Sequence, residues 1–368
     1  MIRVIRAALG IAALAPALVL AQTKGDSASK KKPADPAKLL EKATALPLFA
    51  SRGTLEFTLV ADFRAISRDR DTLSTKRYPG AIKIAPEAGG TDTLRIPVQL
   101  RTRGHFRLLQ RNCPFVPLRV EFFKDSVKKT PFDGQTGLKL VTHCRNDDRY
   151  EQYVFAEELV YRVHNLVTPL SFRSRLSSVT YTDTAGKSLG KYPAFFIEDE
   201  RDVARRNGGK IPELRGALFD DLDAKEGAKF ALYEFMIGNT DWSIYALHNV
   251  RILQAEGGAR FVPLAYDFDF SGLVNAHYAT PDPRLGIRDV RSRLYRGGCT
   301  WNEHIPAAAA ELLALKPAIL AVYDSSPGFN KNQVNDAKYY LNEFFKIVSD
   351  PRELKYSIID RCKKDPGV

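Results

Sequence analysis

The apolar residues change their spacing partway along the chain, and this change is the strongest constraint on the fold. From residue 53 to residue 123 apolar and polar residues alternate, which is the period of strands with one buried face. Between residues 149 and 166 the apolar residues instead follow the 3.6-residue period of a helix, at Phe155, Leu159, Val163 and Leu166. The pattern predicts a β-rich part of the chain that is interrupted by one helix.

The second half of the sequence combines helical and strand-like segments. A helical pattern at 230–237 is followed by strand patterns at 249–253 and 261–266, and two helical stretches complete the chain. We therefore divide the folded part into a β-rich region, 51–206, and a mainly helical region, 207–368. With 44% hydrophobic and 27% charged residues, the composition is that of a globular protein rather than a disordered or fibrous chain.

The first 21 residues have the features of a secretory signal peptide. Arg3 and Arg6 precede the apolar stretch Ala7–Ala21, and small residues stand before a cleavage point at Gln22. An uncleaved membrane anchor is the alternative, but the stretch is short for a bilayer span. Residues 22–50 are rich in Ser, Lys, Pro and Ala, and we expect a flexible linker there. We predict an exported protein (periplasm, cell surface or extracellular) without a transmembrane span in the mature chain.

The cysteine count favours disulfide bonds. An exported chain with an even number of cysteines usually pairs them. The four residues are Cys113, Cys144, Cys299 and Cys362. Three pairings are open, of which Cys113 with Cys144 and Cys299 with Cys362 is the most local. A zinc site is a weaker alternative because no pair has the C-x-x-C spacing.

The charge of the chain favours an anionic partner. The formal net charge is +12, which suits a nucleotide or an acidic envelope or protein surface, although solubility alone would also account for it. Export separates the chain from the usual nucleic acids, so we exclude a nucleic-acid partner.

Polar residues cluster where apolar segments end in the second half. Asp241 follows a helical pattern, Asn249 opens the next strand, and Asp267 closes the strand after it. Phosphoryl transfer needs a carboxylate near the acceptor hydroxyl, and an amide oxygen and a second carboxylate for Mg²⁺. An aspartate at such a position is often only a cap or turn residue, so the order of the three carries the argument. Asp269 shares a strand face with Asp267 and is a further candidate metal ligand.

Candidate nucleotide-binding residues lie upstream. Lys139 stands in an apolar strand pattern, and Glu158 follows 19 residues later on the predicted helix, at a position that borders its apolar face. Its neighbour Glu157 is expected to face water. The alternative is that Lys139 and Glu158 are ordinary surface residues. Glu198 follows the next strands, where a contact to an adenine would lie.

These motifs, in this order, resemble the spore-coat CotH kinase-like family of atypical protein kinases. The resemblance covers roughly residues 99–272. It runs through Arg103-Gly104, Pro117–Phe122, Leu138–Leu140, Gly190–Glu198, Asn239–Trp242, His248-Asn249 and Tyr266–Phe270.

The resemblance implies a fold and a set of roles. The fold would be a two-lobed, protein-kinase-like α+β fold, with a β-rich N-lobe at 51–206 and a helical C-lobe at 207–368. Asp241 would be the catalytic acid, Asn249 and Asp267 would hold Mg²⁺ or Mn²⁺, and ATP would be the substrate. Lys139, Arg119 and Arg103 would approach the phosphates.

Three points depart from the expected pattern, and two other functions remain open. The spacing of eight residues from Asp241 to Asn249 is longer than that of ordinary protein kinases. Arg103-Gly104 supplies one glycine where phosphate loops usually have several, and ATP is scarce where an exported chain resides. A catalytically silent envelope or surface-binding protein would keep the fold without binding Mg-nucleotide. A metal-dependent hydrolase would use His248, Asp267 and Asp269, although the histidines lack H-x-H or H-x-x-x-H spacing.

Overall fold

The N-terminal strands form a closed barrel. The computed structural model describes residues 36–85, 92–256 and 261–364. The barrel strands are β1 (Leu55–Ala61), β2 (Tyr78–Ile84), β3 (Leu94–Thr102), β4 (Leu118–Phe122), β5 (Gly137–Val141), β6 (Ser174–Thr182) and β7 (Ser188–Ile197). Their order around the barrel is β1-β2-β3-β4-β5-β7-β6. Strands β1 and β6 are parallel, and the other neighbours are antiparallel.

Helices and a small second sheet make up the remainder. The sheet has the order β10 (Phe261–Ala265), β9 (Val250–Ala255), β8 (Gly209–Lys210). The helices are α1 (Pro36–Thr44), α2 (Pro47–Ala50), α3 (Phe63–Arg68), α4 (Asp148–Val167), α5 (Glu200–Arg206), α6 (Ala224–Ile237), α7 (Ile305–Val322), α8 (Lys331–Ser349) and α9 (Pro351–Ser357).

The predicted two-lobed, protein-kinase-like fold is wrong. The structure has a closed seven-stranded barrel plus helices, and the described residues from 36 to 364 form one compact unit. The prediction failed because the barrel closes through β1 and β6, from Leu55 opposite Ser177 to Val60 opposite Thr182. These strands are far apart in the sequence, and local periodicity carries no information about which distant strands pair.

The alternating pattern of the strands sorts their side chains into two environments. In β4, Leu118 and Val120 are fully buried inside the barrel, whereas Arg119 and Glu121 point outward. Arg119 lies directly opposite Lys139 of β5 in the strand register. The inner face therefore forms an apolar core, and the outer face of β3, β4 and β5 is free to carry charged groups.

Helix α4 joins the barrel to the second core. It starts at Asp147, whose carboxylate accepts the backbone N–H of Arg149. Its buried Tyr161 contacts Phe195 on the outer face of the barrel and Phe268 from the loop after β10. Because α4 packs against the barrel on one side and against the C-terminal half on the other, much of its circumference is buried.

Two disulfides link cysteines that are 31 and 63 residues apart in the sequence. Cys113 pairs with Cys144, and Cys299 pairs with Cys362, so the predicted disulfides are confirmed in the most local pairing. Both are compatible with the oxidising environment of an exported protein.

One helical segment of the described residues has the length and apolar composition needed to cross a membrane. It is Cys299–Ser325. The core helix of a water-soluble protein has the same composition, and Trp301, Ile305 and Leu312 are buried in the second core. This packing is compatible with the predicted absence of a transmembrane span.

The N-terminal predictions fall largely outside the described part of the chain. The predicted signal peptide, 1–21, lies outside it. The last residues of the predicted linker, 36–50, form α1 and α2. Arg173 at the start of β6 donates to the carbonyls of Ala43 and Thr44 at the end of α1.

Two buried histidines should make the fold sensitive to acid. Burial lowers the pKa of His143 and of His164 from 6.5 to about 3. The unfolded chain therefore binds more protons than the native one as pH falls from 6.5 toward 3, and the free energy of unfolding must decrease over that window. One pKa unit corresponds to about 1.4 kcal/mol, so each histidine should cost at least that much. The measurement is urea unfolding from pH 7 to pH 4. His164→Gln should flatten the decrease, whereas His105→Gln, at an exposed position, should leave it unchanged.

Candidate functional site

Three segments bring polar side chains together beside the outer face of the barrel. They are the loop between α6 and β9, the loop after β10, and the outward side of β5. The first loop begins at Gly238, which ends α6 with φ 66°. A β-carbon there would lie 1.9 Å from the hydroxyl of Tyr340. Only glycine fits this turn, and the turn directs Asp241 toward β9.

Asp241 is fixed by the residues that open β9. The side-chain amide of Asn249 donates to the Asp241 carbonyl at 2.7 Å and to its Oδ2 at 3.0 Å. His248 Nε2 lies 3.1 Å from the other carboxylate oxygen. The hydrogen bond to Asp241 raises the pKa of His248. Arg296 donates to the carbonyls of Thr240 and Trp242 on either side of the aspartate. The carboxylate is thus held in place while its side chain stays 40% exposed.

Asp267 is held beside the same loop by backbone hydrogen bonds. Its N–H donates to the hydroxyl of Tyr161 on α4 at 2.9 Å, and the N–H of Tyr266 donates to the carbonyl of Asn249 at 3.1 Å. Asn249 has φ 52° and Asp267 has φ 66°. Such conformations in residues other than glycine cost energy, and they cluster at functional sites.

Lys139 approaches this cluster from the barrel. Its Nζ lies 4.3 Å from the centre of the Tyr266 ring, and the guanidinium of Arg251 lies 4.9 Å from the same centre. Burial and the neighbouring charge of Arg103 lower the pKa of Lys139 to about 8, while the charge of Asp267 acts in the opposite direction. The charges of Lys139, Arg103 and Asp267 therefore act on one another, although the three residues come from separate sequence motifs.

The two adjacent glutamates of α4 are both buried, whereas the sequence suggested this only for Glu158. Glu158 pairs with Arg162 at 2.8 Å and accepts the hydroxyl of Ser174 at 2.9 Å. Glu157 is buried, with only 3% of its surface exposed. Burial first, then the charges of Asp269 and Asp267, raise its pKa well above 4.5. The expectation that Glu157 faces water is wrong, because it assumed that α4 buries a single stripe.

Asp269 belongs to the same buried acidic group. The hydroxyl of Tyr278 donates to its Oδ2 at 3.2 Å. Burial and the charge of Asp267 raise the pKa of Asp269 to about 7. The positive charge of Arg107 lowers the pKa of both Asp269 and Glu157. Their mutual repulsion therefore disfavours ionising all of these carboxyls together.

The remaining predicted residues occupy different surroundings. Arg119 is on the outer face of β4 and lies 3.5 Å from Asp199. Glu198 is buried between Arg173, at 2.7 Å, and Arg206, at 3.1 Å. Both of its oxygens accept hydrogen bonds from these arginines. Glu198 is therefore engaged in a structural ion-pair network, and the contact to adenine predicted for it would require that network to break.

Sequence reasoning missed several members of the site. They are Glu157, Arg107, Tyr161, Tyr266 and Arg296. Tyr266 directly precedes Asp267, and Arg107 lies four residues after Arg103. These sequence positions do not show which way either side chain points. Glu157, Tyr161 and Arg296 could be recognised only once α4 and the loop before α7 were placed against the aspartates.

A metal ion at this site would need oxygen ligands beyond those of the protein. Among the described residues, no three His, Cys, Asp or Glu side chains are grouped closely enough to hold a metal ion alone. Magnesium commonly uses only one or two protein carboxylates, with phosphate oxygens and water completing its shell. Asp267 supplies a carboxylate. Asn249 uses its amide nitrogen on Asp241, so only its amide oxygen could serve as a ligand. The hydrolase alternative is disfavoured, because His248 is engaged by Asp241.

Comparison with known proteins adds no relative. No family model matches the chain, and no curated protein matches it.

The two glutamates of α4 should respond in opposite ways to the same substitution. Glu157→Gln removes a buried acid whose native pKa is raised. In the wild type, ionising Glu157 destabilises the native state, so the free energy of unfolding declines as pH rises above about 4.5. The variant lacks this loss, and its free energy of unfolding should exceed that of the wild type by about 1 kcal/mol or more at pH 8. The gain should shrink at pH 5. Urea unfolding at both pH values measures it.

Glu158→Gln is the matched control. Burial raises the pKa of Glu158 as well, but Arg162 and Ser174 favour its ionised form. The substitution leaves the largely buried Arg162 without its carboxylate and should lower the free energy of unfolding by about 3 kcal/mol. Equal effects of the two substitutions would contradict the assignment of Glu157 to the acidic group.

Proposed function

We propose that the chain is an exported phosphotransferase that transfers a phosphoryl group from a Mg-nucleotide to a hydroxyl of a protein or small molecule. The relationship to the CotH family is part of this proposal. It depends on the sequence motifs alone, because the predicted two-lobed fold is wrong. The proposal depends on one observation. Three separate segments place Asp241, Asn249, Asp267 and Lys139 in the same region of the structure.

The backbone of the site supports a functional reading over a purely structural one. Five described residues other than glycine have positive φ, and three of them are Leu247, Asn249 and Asp267. A branched residue such as Leu247 is strained there. These conformations are concentrated in the two loops that carry the candidate ligands. Strained backbone of this kind is typical of functional sites, where it holds side chains in the required positions.

Asp241 is suited to act on the acceptor. Its carboxylate is oriented by Asn249 and His248, and it is exposed enough to meet a hydroxyl arriving from solvent. In this role Asp241 would accept a hydrogen bond from the acceptor hydroxyl and take its proton as the hydroxyl oxygen bonds to the γ-phosphorus. The bond from that phosphorus to the bridging oxygen would break, and the nucleoside diphosphate would leave. His248, with its raised pKa, lies on the opposite carboxylate oxygen and would stabilise the aspartate.

Asp267, Asn249 and Lys139 are suited to hold the phosphates. Asp267 and the amide oxygen of Asn249 would hold the metal ion, which on binding would neutralise charge on the phosphate oxygens. Lys139 would bind the same phosphates directly. Its lowered pKa reflects burial and neighbouring cations, and a phosphate anion would favour its charged form. Arg103, which interacts with Lys139, would add a second cation.

The proposal is tested by thermal melting with metal and with metal plus ATP. A ligand that binds only the native state raises its melting temperature. We expect Mg²⁺ or Mn²⁺ with ATP to raise it in the wild type, and Asp267→Asn to abolish that shift. Asp241→Asn should keep most of the shift while transfer of labelled phosphate to an acceptor disappears. Asp125→Asn, at an 86% exposed side chain, is the control.

The alternatives predict other outcomes of this series. Melting that is indifferent to metal and nucleotide in the wild type would indicate a silent binding protein. A metal shift that is lost with Asp267 but unaffected by ATP would indicate a hydrolase.

Lys139 allows an independent check. Lys139→Met should weaken binding of Mg-ATP by about tenfold, the value of one charge-assisted hydrogen bond, and should leave the fold intact because the side chain lies on the outer face of the barrel. Calorimetric titration measures the affinity, and Lys128→Met at an exposed site controls for net charge. Unchanged affinity would remove Lys139 from the proposed site.

A further inference from the structure

We propose that a groove on the outer face of β3 and β4 binds a small ligand through a phosphate or carboxylate group. The groove has a volume of about 640 Å³, within the usual range of small-molecule sites. It lies between these strands and the start of α5. Its wall includes Arg77, Arg119, Glu121, Phe123 and Arg201. This ligand is additional to the nucleotide, and the proposal does not depend on phosphoryl transfer.

The cations of the groove outnumber its anions. Glu121 is shared by Arg77, at 2.6 Å, and Arg101, at 3.4 Å. Asp199 is shared by Arg119, at 3.5 Å, and Arg201, at 2.8 Å. Two carboxylates thus serve four guanidinium groups.

Nearby acids do not remove this excess. Glu200 is paired with Arg251, and Asp202 is paired with Arg205. The groove therefore carries positive charge that an anionic ligand would neutralise.

The arginines can exchange their present partners for a ligand. The side chains of Arg77 and Arg201 are each 55% exposed, and that of Arg119 is 31% exposed. Ion pairs at this exposure contribute little to stability. Gly137 leaves room for the Arg119 guanidinium, because a β-carbon at that position would lie 3.0 Å from Nη2. The groups are present, accessible and not committed to the core.

The composition of the wall indicates the class of ligand. The three cations that line the wall, Arg77, Arg119 and Arg201, are all arginines, whose planar fork matches the two oxygens of a phosphate or carboxylate. Thr136 and Gln99 add neutral hydrogen-bonding groups, and the half-exposed ring of Phe123 provides an apolar surface. A small molecule with one oxyanion group and an apolar or planar body fits this arrangement.

The test measures anion binding in a background where the nucleotide site is weakened. Inorganic pyrophosphate, phosphate and citrate are titrated calorimetrically into Lys139→Met and into the same variant carrying Arg77→Gln or Arg201→Gln. We expect binding in Lys139→Met and a loss of about tenfold in each double variant. Tighter binding of phosphate or pyrophosphate assigns a phosphate ligand, and tighter binding of citrate assigns a carboxylate ligand.

A matched control separates the groove from net charge. Arg352→Gln removes an arginine whose side chain is 95% exposed elsewhere on the surface. It should leave anion affinity unchanged in the same background. An equal loss with Arg352→Gln, or no anion binding in Lys139→Met, overturns the proposal. Because Lys139 is absent throughout, that failure would leave the phosphotransferase proposal untouched.

Discussion

The parallel pairing of β1 with β6 is the constraint on which the remaining structure depends. It closes the barrel and commits the inner face of every strand to an apolar core. Once that face is filled, the charged residues of β3, β4 and β5 must lie outside. Arg119 of the groove and Lys139 of the candidate site are therefore neighbours in the strand register.

The candidate site combines an excess of negative charge at its centre with positive charge at its edges. Glu157, Asp267 and Asp269 interact with one another, and burial first, then their mutual repulsion, raises the pKa of Glu157 and Asp269. Lys139 and Arg103 repel each other as well. A bound metal ion with a polyphosphate would relieve both repulsions at once, because each brings the charge that its neighbours lack. This complementarity is the physical argument for a ligand of that composition.

Much of the candidate site could be predicted from the sequence, whereas the architecture could not. Asp241, Asn249 and Asp267 lie at the ends of apolar segments, and both these positions and their order can be read from the sequence. Both disulfides also followed the most local pairing. The barrel was missed because its closure depends on a pairing between distant strands. Glu157 was missed because a helix packed on two sides buries residues outside its apolar stripe. Local patterns report local periods, and they do not report what packs against an element from elsewhere in the chain.

The hydroxyl of Tyr340 gives the C-terminal helix α8 a direct part in shaping the site. It fills the space beside Gly238 and also beside Gly272, where a β-carbon would lie 2.4 Å from it. It donates to the carbonyl of Arg291, and Arg293 donates to the backbone carbonyl of Tyr340 and to those of the last turn of α6. The loops of Asp241 and Asp267 thus rest on a support contributed by the far end of the chain. A shortened protein that ends before α8 would keep every candidate ligand residue. It would lose Tyr340 and the packing that holds the two loops in place.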